Sequence, residues 1–184
     1  KYKTPIWSTS IPIIFYAPGF IKPGRYDAPV QQLDIMPTLL GLLNYNKPYF
    51  AFGRDLNRDS TLQPFVINYG TNQFQLIQGD TLLVRDNKSL VAAYYYKTDS
   101  LLLNNLLAPA SGAAAGSTAV GVAEGSSAAA GGAAGANADP DNEIILNAPQ
   151  IQDKELLAKQ NAFFKAIIQQ YVNRMIDNRL TPAN

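Results

Sequence analysis

The chain has 184 residues and a formal net charge of +1. That is long enough to bury a core, and too evenly charged to point to nucleic acid or an anionic membrane surface. It contains no Cys and no His, which excludes a disulfide framework, thiol chemistry, a His/Cys zinc site and any His-based general base or triad within it. Only carboxylates, hydroxyls, Lys and Tyr remain for chemistry. No apolar run reaches the length of a membrane span. The first residue is Lys1 and no signal-peptide pattern follows, so the chain is expected to be cut from a longer protein.

The first apolar run, Ile11–Tyr16, is continuous and rich in Ile and aromatics. It predicts a strand buried on both faces, as in the parallel sheet of an α/β protein. Ala17-Pro18-Gly19 ends it, and Lys22-Pro23-Gly24-Arg25 marks a second turn. Asp34 then reads as a helix N-cap, with its carboxylate accepting from the exposed amides of the first turn. Pro37 falls in that first turn, where its missing N–H costs little. Met36, Leu39, Leu40 and Leu43 recur at helical spacing and predict one apolar face on a helix over Asp34–Leu43. Asn44 is a stop signal, and Phe52-Gly53-Arg54 a turn.

From Phe65 to Tyr96 the period changes to two. Phe65–Tyr69, Gln73–Ile77, Thr81–Arg85 and Leu90–Tyr96 read as short strands, separated by Gly70-Thr71-Asn72, Gly79-Asp80 and Asp86-Asn87-Lys88. Tight-turn residues at these places predict antiparallel pairing and a small meander. Ala108–Asp139 is mostly Ala and Gly, with Ser and Thr, and almost no large apolar residue. Packing cannot repay the entropy of ordering it, so it is expected to be a disordered insert rather than an Ala-rich helix, which its scattered Gly residues oppose. The last element, from about Asp153 to Asn178, repeats Leu156, Leu157, Phe163, Phe164, Ile167, Ile168, Tyr171, Val172 and Met175 at helical spacing. It predicts a long amphipathic helix docked through Phe164, Ile167, Ile168, Tyr171 and Met175. Asp153 and Glu155 at its start, and Arg174 and Arg179 at its end, suit the helix dipole.

Few residues invite a chemical role. Asp34 could be a metal ligand or an acid/base, but its position suits a helix cap. Thr38 has no His or Lys partner placed by sequence, and an unassisted Thr is a poor nucleophile. Asp55 and Asp59, beside Arg54 and Arg58, read as a surface charge cluster. Tyr94-Tyr95-Tyr96 could stack on a sugar or lipid head group, yet fits a strand with alternating rings. No catalytic, cofactor-binding or metal residue is assigned.

The order Ile11–Gly19, Gln32–Leu43 with its Asp-x-x-Pro-Thr motif, then Phe50–Leu56 resembles the C-terminal part of the alkaline-phosphatase superfamily, in its sulfatase and lipoteichoic-acid-synthase branch. The segments Phe163–Tyr171 and Arg174–Leu180 look like the tail of the Bacteroidetes-type synthase-like proteins. The resemblance spans about Tyr2 to Asn105 plus the final helix. It implies an α/β fold, the C-terminal part of an alkaline-phosphatase-like sandwich with a small antiparallel meander and a long C-terminal helix. Residues 1–107 would form the sulfatase-like part, 108–142 the insert and 143–184 the amphipathic helix. It implies a parent that is a metal-dependent transferase or hydrolase of phospho- or sulfo-esters, phosphoglycerol transfer included. That parent would use Mn, Mg, Ca or Zn held by Asp, Glu and His, none of them in this chain. Asp34 would be architectural, and the family's Thr nucleophile would lie far upstream of Thr38. The implied partners are the N-terminal catalytic half, a membrane anchor and a lipid head group or sulfated or phosphorylated ester, on the extracytoplasmic side of a membrane, with no nucleic acid. The fragment alone would be inactive. The alternative is a non-enzymatic α+β module for binding or assembly, with its Tyr-rich strands as the contact face.

Overall fold

The computed structural model describes residues 4, 6, 9–58, 63–70, 72–108 and 139–177. A short 3-10 helix at Gln32–Asp34 runs into α1 (Ile35–Leu42). Four strands follow: β1 (Phe65–Gly70), β2 (Gln73–Gln78), β3 (Thr81–Arg85) and β4 (Leu90–Tyr95). The chain ends in α2 (Pro140–Asn147) and α3 (Lys154–Ile176). The architecture is mixed α/β, with a four-stranded antiparallel sheet in the order β1-β2-β3-β4 and a C-terminal helix.

Turn chemistry shapes the sheet as the sequence predicts. Gly79 takes a left-handed φ of +62° between β2 and β3, which only Gly adopts without strain. After β3, the Asp86 carboxylate accepts from the amides of Lys88 and Ser89, both at 2.7 Å, and folds the connection back. The register slips between Val84 and Arg85, so β4 carries Val91 as an extra residue.

Alternation then sends side chains to two faces. Phe65, Leu76, Leu83 and Ala93 point to one face and pack with Ile145, Ile151, Leu157 and Phe164 from the helical layer. Leu82, Val84 and Ala92 point to the other, with Ile77, Tyr94 and Tyr96 around them. Consecutive tyrosines therefore divide between layers: Tyr95 sits against the first core, Tyr94 and Tyr96 against the second. β3 is buried along its whole length because both faces are covered.

The Asp153 carboxylate caps α3, accepting from the Leu156 amide at 2.8 Å. Leu157 and Phe164 are the anchors of α3, with Ile167 and Ile168 half-buried beside them. Phe163 meets Phe65 edge-on, with centroids 5.1 Å apart. Tyr171 reaches Phe52, but Met175 stays exposed, and so does Ile176 at 76%. The expected docking stripe therefore ends about where Tyr171 meets Phe52. Asn178, Arg179 and Pro182 lie outside the described residues.

Three expectations are corrected. Ile11–Tyr16 is not a strand: its backbone pairs with no other strand among the described residues, and Ile14 and Tyr16 are 81% and 87% exposed. A doubly buried strand needs neighbours on both sides, and an apolar run cannot supply them itself. α1 does form, and it ends in a Schellman turn at Asn44, with φ +52° and the Tyr45 amide donating to Leu40. Its apolar face points outward, however, with Met36 and Leu43 46% and 72% exposed, while Pro37 and Thr38 are buried. The helix also begins differently, as described below. The third correction concerns the insert, whose expected end at residue 142 is too late. α2 starts at Pro140, capped by Asp139, which accepts from the Asp141 amide at 3.2 Å. Residues 109–138 lie outside the described residues.

Burial on α3 sets a contrast. Phe164→Ala should lower the stability of the chain by about 3–5 kcal/mol, as loss of a buried aromatic does. Met175→Ala should stay within about 0.5 kcal/mol. Urea unfolding of the two variants checks this, and equal losses would contradict the placement of the helix.

Candidate functional site

The motif residues that the sequence singles out converge on one buried knot. Asp34 ends the 3-10 helix, and its carboxylate does not cap α1. It turns back to accept from the Gln31 amide at 3.1 Å and across to accept from the Arg54 amide at 2.8 Å. The Arg54 guanidinium lies 3.5 Å from the same carboxylate, with both side chains buried. Asp34 is thus a clamp between two segments rather than a local cap, because a non-local cation and amide satisfy a buried carboxylate better than first-turn amides alone.

Thr38 serves the same knot. Its hydroxyl donates to the Arg54 carbonyl at 3.3 Å and accepts from the Leu56 amide at 3.1 Å. Two glycines make the approach possible. A Cβ on Gly53 would stand 1.9 Å from the Leu33 carbonyl oxygen, and one on Gly41 would stand 1.9 Å from Asp55 Oδ2. The expected surface cluster is corrected accordingly: Arg54 and Asp55 are buried, and Arg58 alone is exposed. Asp59 lies outside the described residues. Arg54 also lies over the Phe65 ring, 5.3 Å from its centroid, which couples the knot to β1.

A second polar cluster, unforeseen in the sequence, joins the sheet to both C-terminal helices. Asp141 is fully buried and meets Arg85 at 2.5 Å and Lys165 at 2.7 Å. Its other oxygen accepts from the Leu90 amide at 2.9 Å. Arg85 also donates to the Lys88 carbonyl and to Asn161, and Lys165 also pairs with Asp139. Burial works against the charge of Asp141. The hydrogen bonds from Lys165, Arg85 and the Leu90 amide outweigh it and hold the carboxyl at about 2, below its ordinary 3.8. The signal for this site was the Asp-Pro pair at 139–140, an N-cap followed by a first-turn proline.

In both clusters the buried carboxylate is already met by cations and backbone amides. The Asp34, Asp55 and Asp141 carboxylates are engaged by Arg54, Arg58 and Arg85, which does not fit a divalent-metal donor set. Among the described residues, no three His, Cys, Asp or Glu side chains converge as a metal would require. The same residues contain no helix long and apolar enough to cross a membrane. Compared with known proteins, the chain matches no family model, no curated protein and no solved structure.

The low pKa of Asp141 has a defined consequence. A group whose pKa is depressed on folding adds stability above its unfolded value, and this is lost as the pH falls through the folded one. Acid should therefore remove the contribution of Asp141 between its ordinary 3.8 and about 2. Asp141→Asn should cost about 3–5 kcal/mol at pH 7, because Arg85 is left buried and unpaired. The difference between variant and parent should shrink at pH 2.5 in urea titrations. A difference independent of pH would contradict the charged role of Asp141.

Proposed function

We propose that this chain is the C-terminal framework part of an extracytoplasmic, membrane-anchored, metal-dependent enzyme of the sulfatase and lipoteichoic-acid-synthase type. The parent would transfer or hydrolyse phospho- or sulfo-esters, with its metal ligands and nucleophile upstream of Lys1. Its divalent ion, Mn, Mg, Ca or Zn, would be held by residues outside this chain. The reading rests first on the motif order Asp34-x-x-Pro37-Thr38, then Phe52-Gly53-Arg54-Asp55.

The observation that carries it furthest is the orientation of α1. Its polar motif residues face inward to the knot, and its apolar residues face out. In the apolar Ile11–Tyr16 run, Ile11, Ile14 and Tyr16 are exposed as well. An exposed apolar patch of this kind marks a surface that meets another surface. In an alkaline-phosphatase-like sandwich, the outward apolar face of α1 would lie against the rest of the parent domain. The exposed end of α3 would border the same junction. The rival reading, a binding module without catalysis, draws on the sheet and α3, which enclose a core of their own.

Activity of the chain and of its upstream-extended coding sequence separates the two. Both would be assayed with bis-p-nitrophenyl phosphate and p-nitrophenyl sulfate in the presence of Mn, Mg, Ca or Zn. The extended protein should turn over one of the esters in a metal-dependent way, and the chain alone neither. In the extended protein, Leu43→Lys should lower the melting temperature, because the charge enters a dry contact. An extended protein with no metal-dependent turnover, or one indifferent to Leu43→Lys, would overturn the reading.

A further inference from the structure

β4 is an edge strand, and two pieces of chain far apart in sequence are tied to it. The first is the turn at Asn105–Leu107. The Asn105 Oδ1 accepts from the Ala93 amide at 3.1 Å, its Nδ2 donates to the Val91 carbonyl at 3.4 Å, and the Leu106 amide donates to the Ala93 carbonyl at 2.9 Å. The Leu106 side chain is buried in the main core. The second piece is the start of α2, where Asp141 accepts from the Leu90 amide at 2.9 Å. The chain thus departs beside Val91–Ala93 and returns beside Leu90, on one strand.

The returning piece has its own contacts with the sheet. Asp141 meets Arg85 of β3 at 2.5 Å. Gln160 accepts from the Thr81 hydroxyl at 2.7 Å and donates to the Gln78 carbonyl at 3.2 Å. Ile145, Ile151, Leu157 and Phe164 are buried in one core with Leu76, Leu83 and Ala93. Lys165 reaches from α3 back to Asp139 and Asp141, so α2 and α3 are tied to each other as well as to the sheet. A covalent link between two docked pieces adds only the effective concentration at which it presents one to the other. That concentration is roughly millimolar for a flexible link.

We infer that the link from Ala108 to Asp139 is dispensable to the fold. A cut within residues 109–138 would leave a two-chain protein in which α2 and α3 stay docked on the sheet as a separate subunit. The partner that this sheet face fits is therefore the helical pair of the chain itself, with Asp141 as its anchor. Residues 109–138 are mostly Ala, Gly and Ser, small and polar residues of the kind at which nicking is tolerated. The inference does not rest on the enzymatic reading and holds for the module as well.

The test uses the full chain with a site for a sequence-specific protease, flanked by Gly-Ser spacers, inserted after Gly125. After complete cutting at about 10 µM, both pieces should elute together at the mass of one chain, with an unchanged circular dichroism spectrum. Docking should weaken roughly a hundredfold against the linked form, the ratio of millimolar to about 10 µM. The melting temperature of the cut protein should therefore fall on dilution, while that of the uncut protein does not. Asp141→Asn should weaken docking in the cut protein by at least about tenfold, because Arg85 loses its partner. If that variant does not fold before cutting, the cut parent still decides the matter. Separation of the two pieces on cutting, or loss of the strand signal, would overturn the inference. So would resistance of the spaced site to the protease, because residues around Gly125 would then be held within the fold.

Discussion

A carboxylate taken out of water must be met by cations and amides, or it will not stay charged. Two of the buried aspartates, Asp34 and Asp141, impose that constraint most fully, and much of the chain is arranged around them. Asp34 holds Gln31 and Arg54, and Thr38 ties the Arg54 carbonyl to the Leu56 amide in the same knot. Asp141 holds β3 through Arg85, the start of β4 through Leu90 and α3 through Lys165. Both are contacts between segments far apart in sequence, so each closes a loop that turns alone would leave open. Arg54 over Phe65 and Gln31 against Ile67 then join the first knot to the sheet.

The two halves of the structure solve the burial of apolar surface differently. The sheet, α2 and α3 enclose Leu76, Leu83, Ile145, Leu157 and Phe164 almost completely. The segment from Ile11 to Tyr49 does the reverse, keeping polar motif residues inside and setting Ile14, Tyr16, Leu39 and Leu43 outside. The buried knot therefore holds polar groups where a core would hold apolar ones. Among the described residues, the sheet and helices form a unit with its own apolar core, and the first part does not.

What the sequence revealed follows from how local each signal is. The strands from Phe65 onward were legible because alternation and turn residues act over a few positions. The same holds for the stop at Asn44, whereas Asp153 was legible only as a charge suited to the helix dipole and its role as a cap came from the structure. Ile11–Tyr16 misled because strand pairing depends on neighbours that the run does not contain. Asp34 misled because its decisive partner, Arg54, lies twenty residues away. Asp141 looked like the polar end of an insert because its partner Arg85 is 56 residues earlier. Gln160 and Asn161 are buried on the inner face of α3 for a similar reason: one bonds Thr81 and the other Arg85, contacts that no helical period predicts. The candidate site was legible only as a motif, and its role as a clamp came from the geometry.

The central claim is that the chain joins a closed sheet-and-helix core to an N-terminal segment whose apolar residues are uncovered. Native-state hydrogen exchange of the chain tests it most directly. The account predicts that amides of β2, β3 and the Leu157–Ile168 turns of α3 exchange only with global unfolding, while those of Ile11–Phe15 exchange near the rate of an unfolded peptide. Protection of Ile11–Phe15 as strong as that of β3 would contradict it, because that run would then be paired within the chain itself.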